Sequence, residues 1–416
     1  MRTEREQLTY EIAACGARPD GRFAEWLHAN GERTRAEYIR LASVNGEDSR
    51  QKATVILNEN WRTFFAPVLA VLDPVRKSEG FILQGGLILL PIRQADAPLF
   101  ARHYIPVHSG VIDRLVVDLA AFSSGHSLDA VLRMEPISRL TLHISANKSV
   151  WPQVSSDALD QIRFLDACGW SENKESAGSD FTAIMNDPRF TSVQNLSLSV
   201  HDSNMLASVP HSFAFAYSIL SRNIRSLHFH GATSLSLAAL AGAAHLQLES
   251  LYLDGRFSAE AGQMLSAAHF AKHLKQLMIN DSLCDFDGEP INCGSITPMF
   301  SAICRGKSWS SLTFLHIYTE EQGSQITAAG LKALAKAHFL PNLKELHLPL
   351  ESHPDTRLIA AIVEKIDPNK VNSLRFENCG GEPVPDCLLR TFGSRVKRSV
   401  DNDSWGDNSW YVSCEN

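Results

Sequence analysis

The chain lacks the local signatures from which an enzyme is usually recognised. Its 416 residues contain no Gly-x-Ser-x-Gly elbow, no phosphate-cradling Gly-rich loop and no dinucleotide fingerprint. No catalytic residue is therefore assigned, and the expectation is a protein that is not an enzyme. An apolar run of about 18 residues is also missing, so no membrane-spanning helix is expected. Nor does charge of one sign dominate: Lys+Arg 39 against Asp+Glu 46 leave a net charge of −7. That balance offers no electrostatic footprint for nucleic acid or an anionic membrane surface. The eight cysteines (Cys15, Cys168, Cys284, Cys293, Cys304, Cys379, Cys387 and Cys414) are scattered with no C-x-x-C among them. A tetrahedral thiolate zinc site and a disulfide framework are both unsupported, and reduced thiols are expected. The first residues, Met1-Arg-Thr-Glu-Arg-Glu-Gln-Leu8, are charged and helix-prone without an apolar signal region, so the expected location is cytoplasmic.

What is present is organised around Ile326–Leu348, ITAAGLKALAKAHFLPNLKELHL. It reads as a helix followed by a short strand. Thr327 is placed to cap the helix, and Leu331, Leu334 and Ala335 share one helical face. Pro341-Asn342 ends the helix, and Leu343-x-x-Leu346-x-Leu348 alternates with the period of a strand. Such a unit has apolar surface on both elements and cannot bury it alone, so it needs neighbouring copies.

The copies are found by searching for apolar-x-x-apolar-x-apolar. Aligned on the middle residue they are Leu115, Leu140, Ile162, Leu196, Leu227, Leu251, Leu277, Leu315, Leu346 and Leu374. Spacings run from 22 residues (140 to 162) to 38 (277 to 315). Helix-like segments precede most of them, for example Leu128–Arg133, Leu235–Ala241 and Ala259–Leu265. The Ile162 copy is the weakest, because its surroundings also suit a helix. Two spacings are long. One holds the polar stretch Trp170–Asp180, expected to be a surface loop. The other holds Asp281–Asn292, in which Asp285–Glu289 lacks the carboxylate spacing of a calcium loop.

This pattern resembles the leucine-rich repeat of the ribonuclease-inhibitor-like kind. The resemblance implies an α/β solenoid with a curved parallel sheet and helices on the convex side. Residues 1–79 read differently, as helices from about Thr3 to Cys15, Arg22 to Gly31, Glu32 to Leu41 and Ser49 to Leu72. Within them, Phe23-Ala-Glu-Trp-Leu-His-Ala-Asn-Gly31 and Arg35-Ala-Glu-Tyr-Ile-Arg-Leu41 resemble the bacterial repeat-companion domain, which precedes leucine-rich repeats. The resulting division is a helical N-terminal cap (1–79), a leucine-rich-repeat array (80–380) and a C-terminal cap (381–416). Trp26 is expected to pack the helical bundle, with Arg35, Glu37 and Arg40 as a solvated face or internal ion pair. Trp405, Trp410 and Tyr411 are expected to cover the last apolar face of the array.

In such an array the strand residues between the buried leucines point to the concave face. The middle of that face should carry His228, His230, Tyr252, Asp254, Met278, Asn280, His316, Tyr318 and His347, with Glu345 adjoining His347. Large, moderately polar side chains of this kind are typical of protein-binding surfaces. The favoured reading is an adaptor, inhibitor or regulatory subunit that binds another protein there, with no cofactor. The alternative is a metal-binding or hydrolytic site on His228, His230 and Asp254, since His-x-His on a strand puts both rings on one face.

Overall fold

The apolar-x-x-apolar-x-apolar segments become parallel strands in the computed structural model. It describes residues 3–14, 21–44, 46–64, 81–85, 88–90, 114–118, 132–133, 137–145, 157–170, 177–201, 208–281, 296–319, 325–377, 379, 382–400 and 408–413. The chain divides into two compact units, Met1–His201 and Asp202–Asn416.

The first unit opens with helices α1 (Glu4–Ala14), α2 (Gly21–Ala29), α3 (Arg33–Ala42) and α4 (Glu47–Phe64). Phe23, Leu27, Tyr38, Ile39 and Phe64 are buried where α2, α3 and α4 pack in sequence. Gly31 follows α2 at φ +88, a left-handed conformation that ends the helix without a Cβ penalty. Trp26 stacks on Phe23, with ring centroids 6.4 Å apart, and the Arg5 guanidinium lies 5.7 Å from its ring centre. Of the three charges expected as a solvated face or an internal ion pair, Glu37 and Arg40 are exposed. Arg35 is buried instead, donating to the Phe64 carbonyl at 3.2 Å and pairing with Glu32 at 3.5 Å. A buried guanidinium needs such acceptors, and the end of α4 supplies one.

The sheet of this unit comprises β1 (Phe81–Gly85), β2 (Ile88–Leu90), β3 (Arg114–Asp118), β4 (Arg139–Ser145), β5 (Phe164–Trp170) and β6 (Asn195–His201). β1 pairs antiparallel with β2 and β3; β3 to β6 are parallel. The register aligns Leu115, Leu140, Leu165 and Leu196. The third copy is therefore centred on Leu165, and Ile162 takes the preceding apolar position. It lies buried just after a 3-10 turn, Asp157–Gln161. The small Ala167 in the third apolar position hides this strand from a search for large residues. The stretch 170–180 is also not all loop: Trp170 ends β5, and helix α5 begins at Ala177 and runs to Met185.

The second unit repeats strand and helix with little variation: α6 (Ser208–Ala216), β7 (Ser226–Thr233), α7 (Ser234–Gly242), β8 (Ser250–Arg256), α8 (Ala259–Ala267), β9 (Gln276–Asp281), α9 (Thr297–Arg305), β10 (Phe314–Thr319), α10 (Ala328–Leu334), β11 (Glu345–Pro349), α11 (Thr356–Val363) and β12 (Ser373–Glu377). β7 to β12 are parallel, with Leu227, Leu251, Leu277, Leu315, Leu346 and Leu374 in one line, all fully buried. The helices pack successively in a layer of their own. At each strand entrance one carbonyl receives two N–H groups from the next unit. Glu249 and Ser250 donate to Arg225, Lys275 and Gln276 to Glu249, Thr313 and Phe314 to Lys275, and Lys344 and Glu345 to Thr313, all within 2.7–3.1 Å. This ladder holds the register that makes the leucines coincide.

Leu331, Leu334, Leu343, Leu346 and Leu348 are all buried, as the periodicity of 326–348 requires. Thr327 does stand at the N-cap of α10, but its side chain makes no capping bond. The adjacent units supply the acceptors instead: Thr297 Oγ1 accepts from Thr327 N (3.0 Å), and Glu351 Oε1 from Ala328 N (2.9 Å). Helix α12 (Asp386–Phe392) leads to β13 (Val396–Val400) and β14 (Asn408–Ser413). β14 lies antiparallel on the outer edge of β12 and blocks it from further pairing. Trp410 is fully buried there and donates from Nε1 to the Glu382 carbonyl at 3.2 Å. Trp405 and most of the 281–292 stretch lie outside the described residues.

Candidate functional site

Because side chains alternate along a strand, each strand of the second unit that buries its middle leucine presents the residues one before, one after and three after it on the opposite, helix-free face. The register joins these into rows. One row is His228, Tyr252, Met278, His316, His347 and Arg375; beside it runs His230, Asp254, Asn280 and Tyr318. All nine residues expected on the face are in these rows. A third row, Ser226, Ser250, Gln276, Phe314, Glu345 and Ser373, lies on the same face. The same alternation counted backwards from each middle leucine finds it, so Phe314 and Ser373 were within reach of the sequence.

The rows condense into two side-chain clusters. In the first, the Tyr252 ring lies 5.4 Å from His228 and 5.5 Å from His230, centroid to centroid. His230 Nδ1 is 3.2 Å from Asp254 Oδ2, and Asn280 Nδ2 donates to Asp254 Oδ1 at 3.4 Å. His228 is exposed and the other members are half-buried. His228, His230 and Asp254 do not bring three ligand atoms together; the aspartate is instead shared between His230 and Asn280.

The second cluster is tighter. His316 is 4% exposed and lies between two rings: Phe314 at 3.8 Å with an interplanar angle of 29°, and His347 at 3.7 Å with an angle of 11°. Its Nδ1 is 2.8 Å from the Tyr318 hydroxyl. Its Nε2 is buried without a hydrogen-bond partner, and the nearest acid, Glu345 Oε2, is 3.7 Å away. That distance is beyond a hydrogen bond. His347 Nε2 is 3.0 Å from Ser373 Oγ. Among the described residues, His316, Glu345 and His347 are the trio whose ligand atoms converge, all within 4.8 Å of one another.

The electrostatics follow from burial. Loss of hydration pushes His316 down to about 3, and the neighbouring His347 adds to the effect. His347 falls to about 4, again mainly by burial, with the Arg375 charge contributing. Both imidazoles are therefore neutral at pH 7. Burial raises the Tyr318 phenol, and Glu377 pushes it in the same direction, so it stays protonated and able to donate or accept.

None of the four described cysteines takes part in either cluster. Cys304 and Cys379 are buried, while Cys168 and Cys387 are half-buried; all four are outside any disulfide. Burial pushes the Cys304 thiol far up and that of Cys379 up to about 12, which makes both inert. Among the described residues no helix is long and apolar enough to cross a membrane.

No protein-family model matches the chain, and no curated protein matches it. Among solved structures, a chain in the crystal structure of the Rad7 and Elc1 complex in yeast is similar. It has 11% sequence identity and a TM-score of 0.31, covering 79% of this chain and 92% of that one. A likeness at that level decides neither fold nor function, which rest on the strand register and the side-chain geometry of the two units.

Proposed function

We propose that the chain is a leucine-rich-repeat protein, bacterial and cytoplasmic, that binds another protein through the helix-free face of its second unit and carries out no chemistry of its own. The repeat assignment is supported by the aligned middle leucines and the recurring strand-entrance bonds. The two motifs of the N-terminal helices that resemble the repeat-companion domain supply the bacterial part. The scattered cysteines, which offer no disulfide framework in the sequence, support the cytoplasmic part.

One observation carries the functional reading. Two in-register rows rich in His, Tyr, Met and Asn, with Phe314 beside them in a third, lie on a sheet face that the helix layer does not cover. Most of these groups touch a neighbour on the face: His228 and His230 lie against Tyr252, Asn280 bonds Asp254, and His316 lies against Phe314, Tyr318 and His347. Aromatic and polar groups held in this way lose little conformational freedom on binding, which is what a hot-spot surface requires. The role is that of an adaptor, inhibitor or regulatory subunit.

The test uses Tyr252→Ala, Met278→Ala and Asn280→Ala, which lie on the face, with Leu235→Ala on the exposed surface of α7 as control. A partner captured from native cells should lose more than about 10-fold in affinity with the combined face variant and nothing with the control. Retention of every captured partner by the combined variant refutes the reading.

A further inference from the structure

We propose that His316, Glu345 and His347 bind one divalent transition-metal ion of the zinc class on the helix-free face of the second unit. This departs from the expectation that the protein needs no metal, and it uses a different trio from His228, His230 and Asp254. It does not depend on the protein-binding reading.

The ligand set comes first. Two imidazole nitrogens and a carboxylate oxygen lie within 4.8 Å of one another. They are presented by paired strands, with His316 opposite His347 and Phe314 opposite Glu345. The spacing is therefore set by the sheet rather than by a loop. Two imidazoles and one carboxylate favour zinc, cobalt, nickel or copper over calcium and magnesium, which take oxygen ligands.

An independent observation points the same way. His316 is almost fully buried, yet its Nε2 has no hydrogen-bond partner and faces Glu345 Oε2 across 3.7 Å. A cation between them would satisfy both atoms. The outer groups are also those of a metal site, where each ligating imidazole directs its second nitrogen to a fixed partner. His316 Nδ1 meets the Tyr318 hydroxyl at 2.8 Å and His347 Nε2 meets Ser373 Oγ at 3.0 Å. In the tautomers where the Tyr318 hydroxyl and Ser373 Oγ accept from those nitrogens, His316 Nε2 and His347 Nδ1 carry the free lone pairs.

Binding requires one movement. Tetrahedral ligands at zinc distances lie about 3.3 Å apart, so the trio must contract, and the two rings must tilt out of their parallel stack. Three protein ligands leave a fourth position for water or for a donor from another molecule.

The experiment uses the full chain, freed of metal by dialysis against a chelator. It is titrated with Zn2+ by calorimetry and with Co2+ by visible absorption. The expected result is one equivalent bound, with tetrahedral-type cobalt bands. His316→Ala would remove a buried ring, so the half-buried Glu345→Gln and His347→Gln carry the test, with folding checked by circular dichroism. Each should lose at least about 10-fold in affinity, and Tyr318→Phe about 10–100-fold. A double change of the exposed pair His269→Ala and His273→Ala, whose rings lie 6.3 Å apart, should leave binding unchanged. Absence of one-equivalent binding by the unaltered chain overturns the proposal. So does full affinity in Glu345→Gln or His347→Gln, or loss of binding with the His269 and His273 pair.

Discussion

Replacing Gly262 by alanine tests how closely the helix layer is packed, because two effects of opposite sign meet at that residue. Gly262 lies inside α8, where alanine is preferred to glycine by about 1 kcal/mol on helix propensity alone. A Cβ there would lie 2.4 Å from the Met299 carbonyl oxygen, 2.9 Å from Ala302 Cβ and 3.1 Å from the Met299 carbonyl carbon, all on α9. Close C···O contacts in proteins sit at about 3.3–3.6 Å, so α8 and α9 would have to separate by roughly 1 Å. Two of the three atoms belong to the backbone of a helix and cannot rotate away. Opening the interface also loosens the buried Leu265, Met299, Phe300 and Ile303. Overpacking of this kind costs about 1–3 kcal/mol, and the backbone clash puts it near the upper end. Offset by the propensity gain, the net destabilisation is about 2 kcal/mol. Gly242, at the end of α7, is the control, since a Cβ there meets only the Tyr217 hydroxyl at an ordinary 3.6 Å. Gly242→Ala should be neutral or stabilising by up to about 1 kcal/mol. Urea unfolding, read as midpoint shifts at unchanged slope, separates the two. A Gly262→Ala protein as stable as the original would refute the close approach of α8 to α9.

Two further predictions follow from particular bonds. Thr297→Ala should cost about 0.5–2 kcal/mol, because Thr297 Oγ1 caps the start of α10 across the unit boundary; Thr327→Ala, at the N-cap itself, should stay within about 0.5 kcal/mol, and the same urea midpoints check both. Alkylation of the native protein, mapped by mass spectrometry, should label the half-buried Cys168 before the buried Cys304 and Cys379, which should stay unmodified until the protein unfolds.

The strands were legible because a leucine at a fixed place in each unit has one physical role. The line of leucines from 227 to 374 is a statement about burial, and burial is what the apolar pattern records. It failed at Ile162, where the third apolar residue of the unit is Ala167. A small side chain buries as completely as a large one without marking the sequence as strongly. Capping failed at Thr327 for a different reason. Propensity places an oxygen at the N-cap but does not say which oxygen reaches the N–H groups, and in a stacked array the neighbouring unit competes. Arg35 shows a related limit for charge: its spacing with Glu37 and Arg40 leaves a solvated face and an internal ion pair both open, and its burial depends on where the end of α4 arrives.

The open face shows most clearly what sequence proximity hides. His228 and His230 attract notice as a pair because they are two residues apart in the chain. Two residues along a strand are separated by about 6.6 Å, whereas paired residues on adjacent strands are only about 4.8 Å apart. Register therefore brings groups closer than sequence does. His316 and His347 are 31 positions apart in the chain, from 316 to 347, yet they are direct partners across β10 and β11, with ring centroids 3.7 Å apart. Glu345 reaches His316 because it stands one residue before the aligned leucine of β11, on the same face. In a parallel array, chemistry should be sought across the columns that register creates, and only then along each strand. By that rule the His316, Glu345 and His347 trio is the stronger site, although the His-x-His pair at 228 and 230 is the more visible motif.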